Sequence, residues 1–305
     1  MKKTKILITG GTGFIGYHFA KSCIKKNWIV ESLSTKNPIL SRRLKNVRYL
    51  KCDISNFQKL KKTLSKNYDY VVNFAGYVDH SNKAKTMKSH YLGAQNLAKI
   101  FLHSKIKKFI QIGSSIEYGK KTSPQSEEMN NQKVYSFYGK AKLLTTEMFL
   151  KFYKQNNFPV SIIRLYLVYG PNQEPNRLVP ITILNALKKN KFGCSHGNQL
   201  RDFIHVNDVV KSIFKVLNYK KSNGEIFNIG SGKGVKVKEV IKRICKIIGS
   251  GKPQFGKIKI RKDEISKLYP NISKAKKILK WKPKIKLNIG LKKTVNYYIN
   301  DKPFK

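Results

Sequence analysis

The hydrophobic pattern at the start of the chain changes from a buried strand to a helix within a few residues. Residues 6–8 (Ile-Leu-Ile) form a short apolar run, which predicts a strand buried on both faces. Residues 9–16 (TGGTGFIG) follow and are rich in glycine. The apolar residues then recur at helical spacing, at Phe14, Ile15, Phe19, Ala20 and Ile24. The pattern therefore predicts a glycine-rich turn between a strand and a helix.

Strand and helix patterns continue to alternate along the chain. Apolar runs predict further strands at residues 28–35, 47–50, 70–74, 109–113 and 160–165. Helical patterns lie between them, at residues 59–64, 96–104 and 138–152. A chain of 305 residues is long enough for a large core and for one or two domains.

The position of the glycines gives the first indication of chemistry. In a strand–turn–helix unit, Gly10 permits the tight turn, Gly13 lets the backbone approach a diphosphate, and Gly16 lets helix and strand pack closely. The first helical residues, Phe14 and Ile15, then offer N–H groups to the phosphates. We therefore predict a dinucleotide site at these five residues. The alternative is a structural turn that binds no ligand.

The end of the second predicted strand bears on the choice of dinucleotide. An Asp or Glu usually ends this strand in NAD-binding units and takes the ribose hydroxyls, whereas Ser34 has that place here. Glu31 lies too early in the strand to take the place of that acidic residue. Arg42 and Arg43 follow shortly after the end of the strand. A small hydroxyl with nearby cations would fit a 2′-phosphate, so the sequence favours NADP(H) over NAD(H). The alternative is that Arg42 and Arg43 are surface charges.

Residues 136–142 (SFYGKAK) contain a second candidate for chemistry. Tyr138 and Lys142 are four residues apart on a predicted helix and therefore share one face. A free tyrosine has a pKa near about 10, which a neighbouring ammonium group lowers. Tyr138 is thereby suited to exchange a proton with a sugar hydroxyl or ketone while hydride moves to or from a cofactor. Tyr135 is a weaker candidate because Gly139, not a lysine, lies four residues after it.

The Gly-x-x-Gly-x-x-Gly spacing at 10–16 and the Tyr-x-x-x-Lys motif together resemble the extended short-chain dehydrogenase/reductase superfamily. The closest resemblance is to its NAD-dependent epimerase/dehydratase family, which modifies nucleotide sugars, and it covers essentially residues 5–300. It implies a doubly wound parallel sheet of the Rossmann type with a smaller C-terminal substrate-binding lobe. The implied cofactor domain is residues 1–170, to which residues 204–230 return, and residues 171–305 form the interleaved substrate lobe.

The resemblance also implies roles for further residues near the cofactor. Ser114, four residues before Tyr118, matches the third catalytic residue, and Ser115 is its close rival. Asp53, with Ile54, corresponds to the Asp that meets the adenine amine, although Asp53 or Ser55 could instead cap a helix. Ala75 lies in the small-residue turn beneath the diphosphate and ribose.

In the C-terminal part, the segments 176–180 (NRLVP) and 201–206 (RDFIHV) resemble substrate-binding elements of the family. The resemblance implies that Asn176, Arg201 and Arg261 hold the diphosphate of a nucleotide-diphosphate sugar. It also implies that Ser115 faces the substrate. The planar guanidinium of arginine suits a phosphate because it can donate two parallel hydrogen bonds. His205 is expected to be structural.

Two histidines, His80 and His90, lie ten residues apart in the sequence. His90 replaces the asparagine that usually begins its segment in the family, while Asp79 and His80 lie in the implied substrate loop. No further ligand lies at a useful spacing from His80 and His90, so no metal site is predicted.

The reaction itself is less defined by the sequence. Sugar 4,6-dehydratases of the family carry Asp-Glu directly after the catalytic Ser or Thr, and here those positions are Ser115 and Ile116. A dehydratase is therefore not expected. Reduction of a 4-keto-6-deoxy sugar and 4-epimerisation both remain open, and the signal for NADP(H) favours the reductase.

Charge raises an alternative from another class of protein. Lys and Arg number 63 against 16 Asp and Glu, a formal net charge of +47, which suggests nucleic acid or an anionic membrane as a partner. The lysines are spread through every segment rather than gathered in one tract, so no nucleic-acid partner is expected. A non-catalytic dinucleotide sensor or nucleic-acid-binding Rossmann protein stays as the alternative, but it would not need the Tyr138–Lys142 pair.

The remaining expectations concern location and assembly. The four cysteines are far apart and form no Cys-x-x-Cys pair, which is typical of reduced thiols in a cytoplasmic protein. No segment approaches the roughly 20 apolar residues of a membrane span, and the N-terminal residues lack the features of a signal peptide. By resemblance alone, a homodimer through the Tyr138 helix and its neighbour is expected.

Overall fold

Seven strands form one sheet in the computed structural model, which describes residues 3–65, 67–77, 82–129, 133–260 and 264–300. Across those ranges the strands, numbered along the chain, are β1 (Lys5–Thr9), β2 (Ile29–Ser34), β3 (Val47–Lys51), β4 (Tyr70–Asn73), β5 (Lys108–Ser114), β6 (Val160–Leu165), β7 (Leu167–Tyr169), β8 (Lys191–Cys194), β9 (Leu200–Arg201), β10 (Phe203–His205), β11 (Ile226–Ile229), β12 (Val235–Lys236), β13 (Lys252–Phe255) and β14 (Lys267–Leu268).

The α-helices are named in the same way. They are α1 (Phe14–Ile24), α2 (Phe57–Thr63), α3 (Lys83–Met87), α4 (Gly93–Phe101), α5 (Phe137–Asn156), α6 (Leu178–Leu187), α7 (Val206–Asn218), α8 (Val237–Ile248), α9 (Ser273–Leu279) and α10 (Leu287–Asn300).

The strand order of the large sheet is β11-β6-β5-β4-β1-β2-β3. The strands from β6 to β3 pair in parallel. The chain runs outward from β1 in one direction through β2 and β3, and in the other through β4, β5 and β6. The order therefore reverses between β1 and β4, where the carboxyl ends of the strands leave a crevice in folds of this kind. The predicted doubly wound parallel sheet is confirmed.

Helical structure between residues 82 and 101 is more continuous than the sequence indicated. The sequence predicted a polar loop and the start of a helix at residues 77–88, and a helix from 96 to 104. In the structure a helix begins at Lys83 and passes through a π-helical turn at Lys88–Leu92 into α4. The lysine-rich start of this helical segment carries little apolar periodicity, which explains why the pattern did not show that it continues into α4. Its first turn is stabilised by Asn82, whose side chain accepts a hydrogen bond from the Lys85 N–H.

The chain divides into two compact units, each with a core of its own. The first unit comprises residues 1–119, 130–165 and 210–227, and the second comprises residues 120–129, 166–209 and 228–305. The core of the first unit packs apolar side chains of the sheet against those of α4 and α5, among them Leu7, Val71, Leu97, Phe101, Phe109 and Phe149. The core of the second joins α6, α8 and α10 through Val179, Ile183, Val240, Ile244, Leu291 and Val295.

Within the second unit, two buried aspartates explain much of the motif at residues 201–208. The Asp208 carboxylate accepts hydrogen bonds from the N–H groups of Lys284 (2.9 Å) and Ile285 (2.8 Å). The Trp281 indole N–H donates to the backbone carbonyl of Asp208. The Asp202 carboxylate likewise accepts the N–H groups of Ser231 (2.7 Å) and Lys233 (3.1 Å). Both residues therefore serve the fold, because they satisfy backbone donors that would otherwise lack partners.

Leu7 allows a matched test of how strongly the first unit depends on its core. We expect Leu7→Ala, at a side chain with no exposed surface, to lower the free energy of unfolding by about 2–5 kcal/mol. The same substitution at Leu40, which is 87% exposed, should change it by no more than about 0.5 kcal/mol. Urea denaturation followed by circular dichroism measures both. Equal losses in the two variants would contradict the assignment of the core.

Candidate active site

The glycine-rich turn between β1 and α1 is shaped by contacts that leave no room for side chains. Gly10 has a φ of +70°, and a Cβ atom there would lie 2.9 Å from the backbone N of Ala75. A Cβ atom on Gly16 would lie 2.4 Å from the Gly10 carbonyl oxygen. Gly13 is the N-cap of α1 and provides no side-chain hydrogen bond to it. The first turn of α1, with Phe14 and Ile15, thus offers N–H groups to an anion.

A chain of buried polar side chains joins the ends of the strands beside this turn. Thr9 donates to the Asn73 side-chain oxygen at 2.5 Å, and the Asn73 amide donates to Gln111 at 2.8 Å. The same Asn73 oxygen accepts the N–H of Ala75 at 3.1 Å. These bonds join the carboxyl ends of β1 and β4 to the middle of β5 and hold Ala75 against Gly10. The sequence analysis missed this chain, since each member is a single polar residue in an apolar run.

Ser34 and the two arginines after it lie in different environments. Ser34 ends β2 and is half-buried. Arg42 is only 5% exposed, and its Nη1 donates to the Thr12 carbonyl of the glycine turn at 3.4 Å. Arg43 is exposed. The alternative that both arginines are surface charges is therefore wrong for Arg42 and right for Arg43.

Asp53 and Ile54 follow β3. Asp53 is exposed, and its carboxylate accepts the Ser55 N–H at 2.8 Å. The N-cap of α2 is Asn56, which accepts the Lys59 N–H, so the idea that Asp53 or Ser55 caps this helix is wrong. Ile54 is buried. The Asp53 carboxylate thus stays accessible at the edge of the sheet.

Ser114 ends β5 and begins a 3-10 turn that spans Ser115–Tyr118. Its N–H donates to the Glu117 carboxylate at 2.7 Å, and its hydroxyl oxygen accepts the Ile116 N–H at 3.4 Å. Ser114 is half-buried, whereas its rival Ser115 is only 5% exposed. Of the two serines, Ser114 therefore has the more accessible side chain.

Tyr138 and Lys142 lie one turn apart on α5, as predicted from their spacing. The Lys142 side chain is buried, and its Nζ donates to the Ile112 carbonyl at 2.7 Å, two residues before Ser114 on β5. Burial lowers the pKa of Lys142 to about 8, although the negative charge of Glu117 opposes this shift. Tyr135 precedes the helix and is 60% exposed.

His90 packs against Tyr138, a contact that the sequence analysis did not anticipate. The two rings meet edge to face with their centroids 5.1 Å apart. The His90 Nε2 lies 3.1 Å from the Tyr77 carbonyl oxygen. Gly76 makes room for the ring, because a Cβ atom there would lie 1.9 Å from the His90 Cε1. His90 therefore lies beside Tyr138, within the π-helical turn at Lys88–Leu92.

A buried ion pair beneath Ser114 was also missed. The Arg164 Nε donates to the Glu117 carboxylate at 2.8 Å, and neither side chain is more than 3% exposed. The signal was present in the sequence, because Arg164 interrupts an apolar strand and a buried charge requires a partner.

The residues predicted to hold substrate in the second unit are placed as follows. Asn176 is exposed just before α6. Arg201 is 8% exposed on β9, where its Nη1 donates to the Leu200 carbonyl at 2.7 Å and its Nη2 pairs with the Glu264 carboxylate. Burial lowers the pKa of Arg201, and Glu264 opposes that shift. Arg261 lies outside the described residues, as do Asp79 and His80 of the implied substrate loop.

Two further properties concern the described ranges as a whole. Among those residues, no group of three or more His, Cys, Asp or Glu side chains could hold a metal ion. Within the same ranges, no helix has both the length and the apolar character needed to cross a membrane.

Comparison with known proteins gives a consistent result over the length of the chain. Residues 6–230 match the sequence model of the NAD-dependent epimerase/dehydratase family. A putative UDP-glucose 4-epimerase of Methanocaldococcus jannaschii is 31% identical to this chain, and the match covers 97% of this chain and 99% of that protein.

Solved structures are similar in fold over the same length. The UDP-glucose 4-epimerase of Thermotoga maritima, solved with UDP-glucose, has a TM-score of 0.92 at 27% identity and covers 98% of this chain and 99% of its own. The dTDP-glucose 4,6-dehydratase of Bacillus anthracis, in complex with NAD, has a TM-score of 0.88 at 26% identity, with coverage of 99% and 98%.

The buried ammonium of Lys142 should make stability depend on pH in a defined window. Its pKa of about 8 in the folded protein is below the ordinary value of 10.5, so between these values the unfolded chain binds more protons. The free energy of unfolding of the wild type, relative to that of Lys142→Met, should therefore rise as pH increases from about 8 to about 10.5. Lys140→Met, which makes the same substitution at an exposed position of α5, is the matched control. Denaturation at a series of pH values measures the difference, and a flat difference for Lys142→Met would contradict the expectation.

Proposed function

Because the chain belongs to the NAD-dependent epimerase/dehydratase family and is an enzyme of it, we propose that it interconverts the C4 epimers of a nucleotide-diphosphate sugar, with NAD as its cofactor. One observation carries the proposal for the site. The Lys142 Nζ donates to the Ile112 carbonyl at 2.7 Å, so the ammonium group lies at the end of β5 that bears Ser114, with Tyr138 one turn earlier on α5.

The glycine turn fits the diphosphate of a dinucleotide. Gly13 has no side chain at the N-terminus of α1, and Gly10 and Gly16 allow the turn to lie directly on the helix. Ala75 is fixed beside the turn by Asn73, which suits a residue beneath the cofactor. We assign Asp53 and Ile54 to the adenine, and Ser34 and Arg42 to the adenosine ribose side. A nicotinamide cofactor held by these residues would supply the acceptor for hydride from C4 of the sugar and the donor that returns hydride to the other face of C4.

The proton transfers are assigned to this chain's own side chains. Tyr138 removes the proton from the C4 hydroxyl and later returns one to the ketone oxygen. The Lys142 ammonium favours the phenolate form of Tyr138, and with a pKa of about 8 it is mostly protonated at neutral pH. Ser114 hydrogen bonds the reacting oxygen. Its backbone is held by Glu117, so its hydroxyl is presented from a fixed position.

The same region argues against dehydration. A 4,6-dehydratase needs an acid and a base next to the catalytic Ser or Thr, to act at C5 and C6. Here Ser115 is buried and Ile116 is apolar, so neither provides a carboxyl group. The likeness to a dTDP-glucose 4,6-dehydratase therefore supports the fold and family rather than that reaction.

The choice of NAD departs from the preference that the sequence indicated. A solved relative of similar length holds NAD, and the relatives give no support for NADP(H). Arg42 donates to the Thr12 carbonyl of the glycine turn. This bond is to the protein backbone, so it does not distinguish NAD from NADP(H). Arg43 is exposed.

Reduction of a 4-keto-6-deoxy nucleotide sugar is the second candidate. It is favoured by Ser34 at the end of β2, where NAD-binding units usually have an acidic residue, together with the nearby arginines. The same Ser114, Tyr138 and Lys142 set would suffice for it. The two reactions differ in cofactor use, because an epimerase recycles its NAD while a reductase consumes NADPH.

For the substrate, we assign the cofactor to the first unit and the nucleotide-diphosphate sugar to the second. Asn176, Arg201 and Arg261 are the proposed diphosphate ligands. Arg201 suits this role because its guanidinium is already ordered by the Leu200 carbonyl and Glu264. A relative of high structural similarity holds UDP-glucose, so UDP-hexoses are the first substrates to test.

Replacing Tyr138 separates this site from its nearest rival. Tyr138→Phe should lower kcat by about 10²–10⁴-fold, since it removes the proton-transfer group. Tyr135→Phe, a matched change at an exposed residue, should leave kcat unchanged. Chromatographic separation of UDP-glucose, and of UDP-glucuronate, from its C4 epimer measures kcat for both variants. Equal activity of Tyr138→Phe and wild type would refute the assignment.

Cofactor use distinguishes the two candidate reactions. We expect NAD to be released from the purified, denatured protein and the epimers to interconvert without net change in absorbance at 340 nm. Steady oxidation of NADPH with a 4-keto-6-deoxy nucleotide sugar, and no interconversion of unmodified UDP-sugars, would establish the reductase instead.

A further inference from the structure

Glu117 is a buried acid that the proposed reaction does not use directly. Its carboxylate accepts three hydrogen bonds: from the Ser114 N–H at 2.7 Å, the Thr146 hydroxyl at 2.7 Å and the Arg164 Nε at 2.8 Å. The side chain has no exposed surface. Gly113 is shaped for it, because a Cβ atom there would lie 2.5 Å from the Glu117 Oε1. A carboxylate with this many partners is held in one position.

The three partners belong to three different elements. Ser114 ends β5, Thr146 is on α5 and Arg164 is on β6. Thr146 lies one turn beyond Lys142, on the helix that also carries Tyr138. Lys142 in turn donates to Ile112 of β5. The strand end that bears Ser114 and the helix that bears Tyr138 and Lys142 are therefore joined twice, once by Lys142 and once by Glu117.

Charge adds a second link between Glu117 and the site. Burial works against the charged form of Lys142, and Glu117 is the neighbouring charge that favours it. Arg164 is paired with Glu117 and lies over the Tyr118 ring, 4.4 Å from its centroid. Other charged and titratable side chains in this part of the first unit include Arg164 and Tyr118 beside Glu117, Tyr138 on the helix of Lys142 and, against the Tyr138 ring, His90.

We propose that Glu117 is a positioning residue of the catalytic set: its buried carboxylate fixes the end of β5 that bears Ser114 against α5. Its negative charge also acts on the Lys142 ammonium of the same helix, where it opposes the effect of burial. The catalytic part of this statement rests on the proposed function. The electrostatic part does not, because it concerns the resting protein.

The electrostatic part is tested by NMR titration of ¹³Cε-labelled lysines in the absence of cofactor and substrate. Burial lowers the pKa of two lysines of β5 and α5, Lys108 and Lys142, to about 8. Lys108→Met and Lys142→Met assign the two signals. Lys108 is the internal control, since it donates to Tyr219, Ser222 and Asn223 rather than to Glu117.

Glu117→Gln keeps the shape of the side chain and removes its charge. We expect it to lower the titration midpoint of Lys142 by about one pH unit and to leave that of Lys108 unchanged. If the unpaired Arg164 prevents folding, Glu117→Gln/Arg164→Gln removes both charges. Its Lys142 midpoint should be lower than that of Arg164→Gln, since the two variants differ only in the Glu117 charge. An unchanged Lys142 midpoint, or an equal shift at Lys108, would overturn the proposal.

The positioning part is tested by kinetics of C4 interconversion. Glu117→Gln should lower kcat by about 10- to 100-fold with little change in KM, and move the alkaline limb of the kcat profile to lower pH. Thr146→Val, which breaks the bond to α5 but keeps the charge, should lower kcat without moving that limb. Glu31→Gln removes another buried carboxylate, held by Lys5 and Tyr68, and should leave the pH profile as in wild type.

These outcomes distinguish the two proposals. A wild-type protein that interconverts no nucleotide sugar refutes the proposed function, while the lysine titrations still decide the role of the Glu117 charge. Full activity with an unchanged pH profile in Glu117→Gln refutes the positioning role, whatever the substrate.

Discussion

The hydrogen bond from the Lys142 ammonium to the Ile112 carbonyl is the contact on which the arrangement of the site depends. A lysine has three donors and a charge, and both are costly to bury without partners. By donating to the backbone of β5, Lys142 joins α5 to the strand that ends at Ser114, and Tyr138 lies one turn earlier on the same face of α5. Glu117 provides a second attachment between the same two elements and the nearest negative charge. The remaining parts of the first unit, including the glycine turn and the Thr9–Asn73–Gln111 chain, are organised along the same edge of the sheet.

Most strands of the first unit were predictable from the sequence because each follows from a local pattern. The strand–turn–helix start and the Tyr138–Lys142 spacing likewise depend on residues within one element or its neighbour. The parallel pairing of the strands was implied by the family resemblance. The family resemblance rested on these motifs and is confirmed. The Glu117–Arg164 pair and the contact of His90 with Tyr138 are different, because they join residues 47 and 48 positions apart in sequence. Such contacts depend on how elements pack, which periodicity does not report. The short strands of the second unit, of two to four residues, are likewise too brief to produce a pattern.

The comparisons establish the family but leave the reaction to a few side chains. Relatives of similar identity include an epimerase and a dehydratase with the same fold, so overall likeness does not distinguish them. What differs is the chemistry available beside Ser114, where this chain has a buried serine and an isoleucine. The same reasoning applies to the cofactor. A serine at the end of β2 is a local signal, whereas the burial of Arg42 against the glycine turn is a property of the packed structure.

The contact between Gly76 and His90 limits the order in which this site can diverge. While the imidazole ring is present, any side chain at position 76 would overlap it, since even a Cβ atom would lie 1.9 Å from the ring. Replacement of His90 by a smaller residue, such as the asparagine usual in the family, removes that obstacle. The histidine can therefore be lost first and the glycine changed afterwards. If the glycine changes first, its new side chain displaces the His90 ring from Tyr138. Histidine at position 90 thus requires glycine at position 76, whereas glycine at 76 does not require the histidine.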